Sequence, residues 1–324
     1  MRKGVLAAML SAFMCVVSMP LSAQNIFKRL DSLLTRNYHK ANYDTAYVAR
    51  PQYKWTIAAR ANVSGAVIET KGIENGLNYA SRINAENKGT LSVGVGYQGI
   101  MLNLSLNPAQ LAGKYHDFEL NLNCYGRRFG FDVIYQDAKN FTGWYEEGNR
   151  GRTDLPEDIL EVRTLNLNAY YAFNSRRFSY PAAFSQSYIQ RRSAGSFLLA
   201  ASAMVQRANL DLAEDQKLKT TNIGIGAGYG YNYVPHRGWL LHLSLLPTLI
   251  VWSNSSLTIG EKRTKQHYHF PEFIVTGRAA VVYNWSNKFL GASAVYNFTN
   301  IGDKDELAVY NSKWRARAFF GLRF

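Results

Sequence analysis

The final stretch of the chain, residues 313–324, limits the fold more than any other segment. One parity is apolar and the other is largely basic; the first contains Trp314, Ala316, Ala318, Phe320, Leu322 and Phe324, and the second contains Lys313, Arg315, Arg317, Phe319, Gly321 and Arg323. Successive side chains of a β-strand point to opposite faces of the sheet. The segment therefore predicts a strand with an apolar face and a basic face.

A strand of this kind that ends on an aromatic residue, here Phe324, resembles the last strand of bacterial outer-membrane barrels. The resemblance implies a Gram-negative outer membrane and contact with outer-membrane lipid. It also implies that Phe320, Leu322 and Phe324 belong to a C-terminal insertion signal, which the barrel-assembly machinery reads as a partner during insertion.

The other end of the chain predicts export. Residues 1–3 are basic, residues 5–17 are apolar, and the small residue Ala23 precedes Gln24. This is the pattern of a secretory signal peptide, and the apolar run is shorter than the about 20 residues that a membrane-spanning helix needs. We predict a signal peptide over 1–23, an N-terminal periplasmic arm with a short helix over 24–53, and a barrel over 54–324.

Cysteine content and charge exclude several other classes of protein. Cleavage after Ala23 removes Cys15 and leaves Cys124 alone, so neither an internal disulfide nor a cysteine-based metal site is expected. The formal charge is +14. A basic balance can indicate nucleic-acid binding, but export and the lack of any such motif argue against it. We expect no nucleic acid, no metal and no cofactor.

From residue 54 onward, hydrophobicity alternates with period two in segment after segment. The clearest case sets Ile223, Ile225, Ala227, Tyr229, Tyr231 and Tyr233 against Asn222, Gly224, Gly226, Gly228, Gly230 and Asn232. We count about twelve such strands, an even number that suits a barrel with both termini in the periplasm. The predicted fold class is all-β: a transmembrane antiparallel β-barrel with a short N-terminal periplasmic helical arm.

The connections between the predicted strands alternate in length. Short turns lie at Gly99, 126–128, 235–238 and 286–288, and longer loops at about 71–87, 140–159, 209–218 and 253–269. Short periplasmic turns and long outer loops are typical of these barrels. Five tryptophans near predicted strand ends suit an aromatic girdle; they are Trp55, Trp239, Trp252, Trp285 and Trp314. A soluble exported β-barrel that binds a ligand shares the period and stays an alternative.

One connection, about 174–194, is long where a short periplasmic turn is expected. It is apolar and aromatic at its centre and is ringed by Arg176, Arg177, Arg191 and Arg192. We predict a periplasmic plug or gate formed by Tyr180, Pro181, Phe184, Arg191 and Arg192. Two alternatives stay open: an ordered turn that only stabilises the barrel base, and a segment whose arginines rest on inner-leaflet headgroups.

The segments Ser179–Phe184 and Arg191–Ser196, together with Tyr43–Thr45 and Lys54–Trp55, resemble an uncharacterised family of Bacteroidetes outer-membrane β-barrel proteins. The family is known only as a domain of unknown function. The resemblance covers the chain from about Tyr43 to Phe324. It implies an outer-membrane barrel and brings no activity and no catalytic residues.

The inward parity carries charges of both signs, and we predict that they line the lumen. The candidates are Arg60, Asp117, Glu119, Asp132, Arg278, Arg315 and Arg317. Because the first and last strands adjoin on closure, Arg60 should lie near Arg315 and Arg317. One hypothesis is a salt-bridge network that fills a narrow barrel. The other is a basic stripe that favours a small anionic solute in a hydrated lumen.

The sequence favours a non-enzymatic protein, either a narrow porin-like channel or a structural barrel of the envelope. The alternative is an outer-membrane lipid hydrolase, because His242 and Ser244 lie two apart on one face of a predicted strand. Such chemistry also needs an orienting partner and an oxyanion site. The sequences that flank this pair in known outer-membrane lipases are missing, so no residue is predicted to be catalytic.

Overall fold

Antiparallel pairing closes the sheet on itself, because the first barrel strand pairs with the last. In chain order the strands are β1 (Val48–Ala49), β2 (Trp55–Glu74), β3 (Leu77–Tyr97), β4 (Ile100–Leu106), β5 (His116–Tyr125), β6 (Phe129–Lys139), β7 (Phe141–Glu147), β8 (Arg152–Leu155), β9 (Leu160–Ala172), β10 (Ile189–Gln190), β11 (Ala194–Leu210), β12 (Gln216–Tyr233), β13 (Trp239–Ile259), β14 (Lys262–Gln266), β15 (Glu272–Trp285), β16 (Lys288–Gly302) and β17 (Leu307–Arg323), and a short helix, α1, spans Pro181–Phe184.

A computed structural model is the basis of this description. It describes residues 42–324, except 75, 99, 109–115, 140, 150, 157–158, 211–215, 261, 267–270 and 303–306; before residue 42 it describes only Arg29 and Ser32. The chain divides into two compact units, 1–42 and 43–324, and the second contains the barrel. The predicted signal peptide lies outside the described residues, and of the helix predicted in the arm only Arg29 and Ser32 are described, both of them helical.

Fifteen strands form the main sheet, and without β7, β8 and β14 they leave a ring of twelve. At the seam the Trp55 backbone nitrogen donates to the Phe324 carbonyl at 2.9 Å, and the Phe324 nitrogen donates to the Trp55 carbonyl at 3.0 Å. The ring therefore has no free edge along this seam, as hydrocarbon requires of a spanning sheet. The predicted fold class, an antiparallel barrel of about twelve strands, is confirmed.

Alternation along each strand separates an apolar outer surface from a polar interior. On β13, Leu243 and Leu245 point outward with 68% and 56% of their surface exposed, whereas the intervening Ser244 is buried. The same holds on β17, where Phe320, Leu322 and Phe324 are exposed and Phe319 is buried. Large apolar side chains that face outward around a closed barrel suit hydrocarbon rather than water.

The predicted outer loops are wrong in extent, because strands continue where loops were expected. The loop predicted at about 71–87 is a hairpin in which β2 ends at Glu74 and β3 begins at Leu77. In the regions predicted as loops at 140–159 and 253–269, β7 pairs with β3 and β14 pairs with β13. Polar residues extend the ladder because pairing uses backbone groups and needs an apolar face only within the bilayer.

This extension also changes the setting of two tryptophans. Trp55, Trp239 and Trp285 stand at strand ends as predicted, but Trp252 and Trp314 lie inside β13 and β17. Trp252 remains 46% exposed. The described residues contain no helix that is both long and apolar enough to cross a bilayer.

A charge placed on the outer face should test this surface. Leu245 lies midway between Trp239 and Trp252 and faces outward. We expect Leu245→Arg to lower the free energy of unfolding in lipid vesicles by about 2–4 kcal/mol, the cost of an arginine at the bilayer midplane. Urea titration, followed by heat-modifiable gel migration, would measure this cost.

The control is Asn254→Arg, which changes an exposed residue of the same strand beyond Trp252. This substitution should lower the free energy of unfolding by only about 0–1 kcal/mol, the cost of a charge near the membrane interface. Equal effects of the two substitutions would contradict a membrane-facing belt.

Candidate functional site: a plugged lumen with a basic wall

Between β9 and β11 the chain turns back into the barrel and fills one end of it. We call residues 173–193 the plug. Its aromatic residues Phe178 and Tyr180 are 1% and 3% exposed. Pro181 occupies the first turn of α1, where its missing N–H has no helical partner to lose. Burial raises the pKa of the Tyr180 hydroxyl, which therefore stays protonated at neutral pH.

The strand β12 holds the plug through one side chain. The Asn232 amide nitrogen donates to the Ser179 carbonyl at 2.8 Å and to Gln190 Oε1 at 2.9 Å. Gln190 Oε1 also accepts from the Ser179 backbone nitrogen at 2.9 Å. Beside Asn232, an added Cβ on Gly230 would lie 3.1 Å from the Phe178 ring. Gly230 thus leaves room on the inner wall for the plug.

His242 and Ser244 belong to the same hydrogen-bond chain. His242 Nδ1 lies 2.6 Å from Asn232 Oδ1, and His242 Nε2 lies 3.0 Å from Ser244 Oγ. Because Asn232 donates through its nitrogen to the plug, its oxygen accepts from Nδ1, and Nε2 then accepts from Ser244. All three side chains are buried, and the rings of Tyr180 and Phe184 lie 5.3 and 5.0 Å from the His242 ring.

The last strand contributes a second anchor. Arg323 is 1% exposed; its Nε donates to the Gln186 carbonyl of the plug at 2.9 Å, and its Nη2 donates to Asn284 Oδ1 at 2.7 Å. Its guanidinium also lies 4.7 Å from the centre of the Phe289 ring. The basic parity of the C-terminal strand therefore supplies a structural contact at this end of the barrel.

Residues 43–50, which we call the strap, lie across the plug. Val48 and Ala49 pair with Gln190 and Ile189 as a two-stranded sheet, β1 with β10. The strap therefore belongs to the plug rather than to the barrel wall.

The plug arginines face the strap. Arg177 approaches Asp44 at 3.5 Å and lies 5.0 Å from the Tyr47 ring, which Arg192 approaches at 6.0 Å. Arg191 Nη1 donates to the Thr45 carbonyl at 3.2 Å. Of the five predicted plug residues, Tyr180 and Pro181 are buried, Phe184 is partly buried, and Arg191 and Arg192 are exposed and contact the strap.

Two ion pairs cross the lumen. Arg278 Nη2 lies 3.5 Å from Asp132 Oδ2, and four strands separate β15 from β6 along the shorter arc. Arg315 pairs with Glu119, and three strands separate β17 from β5. The Arg278 guanidinium also lies 5.8 Å from the Tyr180 ring. Both ion pairs thus brace the barrel, and Arg278 also packs on the plug.

The other predicted lumen residues make contacts with neutral partners. Arg317 Nε donates to Asn62 Oδ1 at 2.7 Å, and Arg60 donates to Asn103 Oδ1. In the register of β2 with β17, Arg60 stands opposite Phe319, beside Arg317 and farther from Arg315. The side chain of Asp117 lies outside the described residues.

A cavity of about 320 Å³ remains in the lumen above the plug. Tyr180 and Phe184 form its floor, and its basic lining residues are Lys88, Arg278, Lys313, Arg315 and Arg317. Sequence reasoning missed Asn232, Gln190 and Arg323 as plug anchors. The inward parity of Asn232 and Arg323 on their strands could have identified them as lumen residues. Gln190 lies in a connection with no period-two pattern, so nothing in the sequence pointed to it.

The site and the fold define a plugged barrel of the outer-membrane type. The chain belongs to the family described as a domain of unknown function (DUF4421), whose model matches residues 42–324. No curated protein matches the sequence.

Solved structures with a similar chain course include three outer-membrane proteins. The protease OmpT of Escherichia coli is 9% identical, with a TM-score of 0.42, over 85% of this chain and 97% of that one. The translocator domain of the autotransporter NalP of Neisseria meningitidis is 10% identical, with a TM-score of 0.33, over 93% and 96%. OprG of Pseudomonas aeruginosa is 10% identical, with a TM-score of 0.32, over 85% and 99%. These values add nothing beyond the fold class.

Removing the Asn232 side chain should loosen the plug. Asn232→Ala leaves the Ser179 carbonyl and His242 Nδ1 without this partner, and each buried polar group left unpaired costs about 1–3 kcal/mol. We expect faster amide hydrogen exchange in residues 176–191, with the barrel strands unchanged. Asn222→Ala, a buried asparagine on the same strand away from the plug, is the matched control. Equal exchange in both variants would contradict the anchoring role.

Proposed function

We propose that this protein is a non-enzymatic barrel of a Gram-negative outer membrane, with a narrow porin-like lumen that favours small anionic solutes. In this proposal the plug closes the periplasmic end of the passage. The observation that carries it is a lumen with cations along one wall and a folded segment across one end. The Bacteroidetes origin that the family resemblance implies stays a prediction.

The outer surface supports the membrane location. Exposed apolar side chains surround the ring, and aromatic residues lie near both ends of the apolar band. At the seam Phe320, Leu322 and Phe324 all face outward. This placement supports their role as an insertion signal, because the assembly machinery would meet them on the outer face of the last strand.

The lumen supports the preference for anions. Among the described residues that line the cavity, Lys88, Arg278, Lys313, Arg315 and Arg317 are basic, and Asp132 is the acidic one. Fixed charges in a narrow pore act on a passing ion at close range. A structural barrel without transport is the other reading of the same ion pairs, since they also brace the wall.

Loss of the plug rings should open the passage. We expect the double variant Tyr180→Ala with Phe184→Ala to raise single-channel conductance in planar bilayers several-fold, because both rings form the floor of the cavity. The control, Phe129→Ala with Phe197→Ala, removes two rings of the barrel wall that are 67% and 70% exposed at the same end. Unchanged conductance in a folded plug variant would favour the structural barrel.

Charge reversal should test selectivity separately. We expect Arg315→Glu with Arg317→Glu to shift the reversal potential towards cations in a salt gradient, because two fixed positive charges of the wall become negative. Arg128→Glu with Arg237→Glu, both in exposed turns, is the control. The anion preference fails if the lumen variant folds and keeps the wild-type reversal potential.

One observation favours the lipid hydrolase: Ser244, His242 and Asn232 form a hydrogen-bonded chain like that of a nucleophilic triad. Their position speaks against it, since all three are buried against the plug and face inward. Lipid release by the wild-type protein that Ser244→Ala abolishes would revive this hypothesis. We expect no release by either.

A further inference from the structure

The cavity above the plug has two chemically different walls. One wall, from β17 and the neighbouring β2, presents Lys313, Arg315 and Arg317, with Asn62 as the neutral partner of Arg317. Across the lumen, β9, β11 and β13 present no charge among the described lining residues. That wall consists of Asn166, Asn168, Ala200, Ser202, Met204, Leu246 and Thr248.

The arginines of the cavity differ in the charge that faces them. Arg278 pairs with Asp132 and Arg315 pairs with Glu119. Arg317 instead donates to the neutral oxygen of Asn62; Arg315 repels it, and Glu119 and Asp132, already paired with the other arginines, attract it only from beyond ion-pair distance. A cation withdrawn from bulk water is costly unless a charge of opposite sign lies close to it. The guanidinium of Arg317 therefore favours an anion in this space.

The size of the cavity limits what that anion can be. About 320 Å³ is at the lower end of the about 300–1,000 Å³ that small-molecule pockets enclose. This space suits a compact organic molecule. An inorganic anion alone would leave the neutral wall without a partner.

We propose that the cavity is a binding chamber for one small amphiphilic anion, a carboxylate or phosphate monoester with an uncharged body. Its anionic end contacts Arg315 and Arg317. Its body lies against Ala200, Ser202 and Met204 of β11, above the rings of Tyr180 and Phe184. The inference deepens the proposed function, because it names the class of solute that the anion-favouring lumen takes.

Equilibrium dialysis of the detergent-solubilised protein would test the chamber. The probes are labelled phenyl phosphate, benzoate and inorganic phosphate, with benzyl alcohol as the uncharged comparison. We expect saturable binding of phenyl phosphate or benzoate, about tenfold or more tighter than that of inorganic phosphate, because the ring also leaves water. Benzyl alcohol should show only partition into detergent. Whichever of phenyl phosphate and benzoate binds more tightly shows whether the chamber prefers a phosphate or a carboxylate head.

Two variants separate the two walls. Arg317→Gln should weaken binding of both phosphate probes by about tenfold or more, because a charged hydrogen-bond donor is lost. Ala200→Leu should weaken the organic anion and leave inorganic phosphate unchanged, since it fills the neutral wall only. Ala200→Leu changes no charge and keeps the test valid if Arg317→Gln does not fold. Arg128→Gln, in an exposed turn, is the control and should bind like wild type.

The chamber is overturned if no probe binds saturably, if phenyl phosphate and benzoate bind no tighter than inorganic phosphate, or if Ala200→Leu binds like wild type. These results are independent of the bilayer measurements. An anion-selective conductance without saturable binding would overturn the chamber and leave the passage standing. Saturable binding without conductance would overturn the passage and leave the chamber standing.

Discussion

Closure of the sheet is the constraint on which everything else in this protein depends. A strand edge in hydrocarbon would leave backbone donors and acceptors without partners, at several kilocalories per mole for each group. The pairing of Trp55 with Phe324 removes that edge. Once the ring is closed, the alternation of each strand decides the rest: apolar side chains meet the outside, and every polar or charged side chain of the other parity must find a partner within the ring.

Inside the ring, the inward side chains find partners in successive layers. At one end of the ring, the plug fills the lumen with aromatic side chains and satisfies its backbone through Asn232 and Arg323. Above it, the pair of Arg278 with Asp132 joins opposite sides of the wall and rests on Tyr180. Farther out lies the cavity with its basic wall. The basic lining of the cavity and the filled end of the barrel thus follow from one arrangement of inward side chains.

Much of the architecture could be predicted from sequence because period two is a local signal. It indicated the strands, their number and the inward position of Arg60, Glu119, Asp132 and Arg278. The period-two signal failed to predict the polar stretches of β3 and β14, because these stretches have no alternating apolar residues to mark them as strands. It could not identify partners either: the contact of Arg315 with Glu119 depends on the diameter of the ring, and that of Gln190 with Asn232 on where an aperiodic segment folds.

The contact of Arg323 with the Gln186 carbonyl has a consequence for how the molecule is made. The second residue from the C-terminus completes the seat of a segment that lies far earlier in the chain, and the strap before the first barrel strand completes its underside. The plug therefore has its full set of contacts only in a closed ring, where the last barrel strand and the strap before the first one meet around it. Closing the ring and holding the plug thus draw on the same stretches of chain.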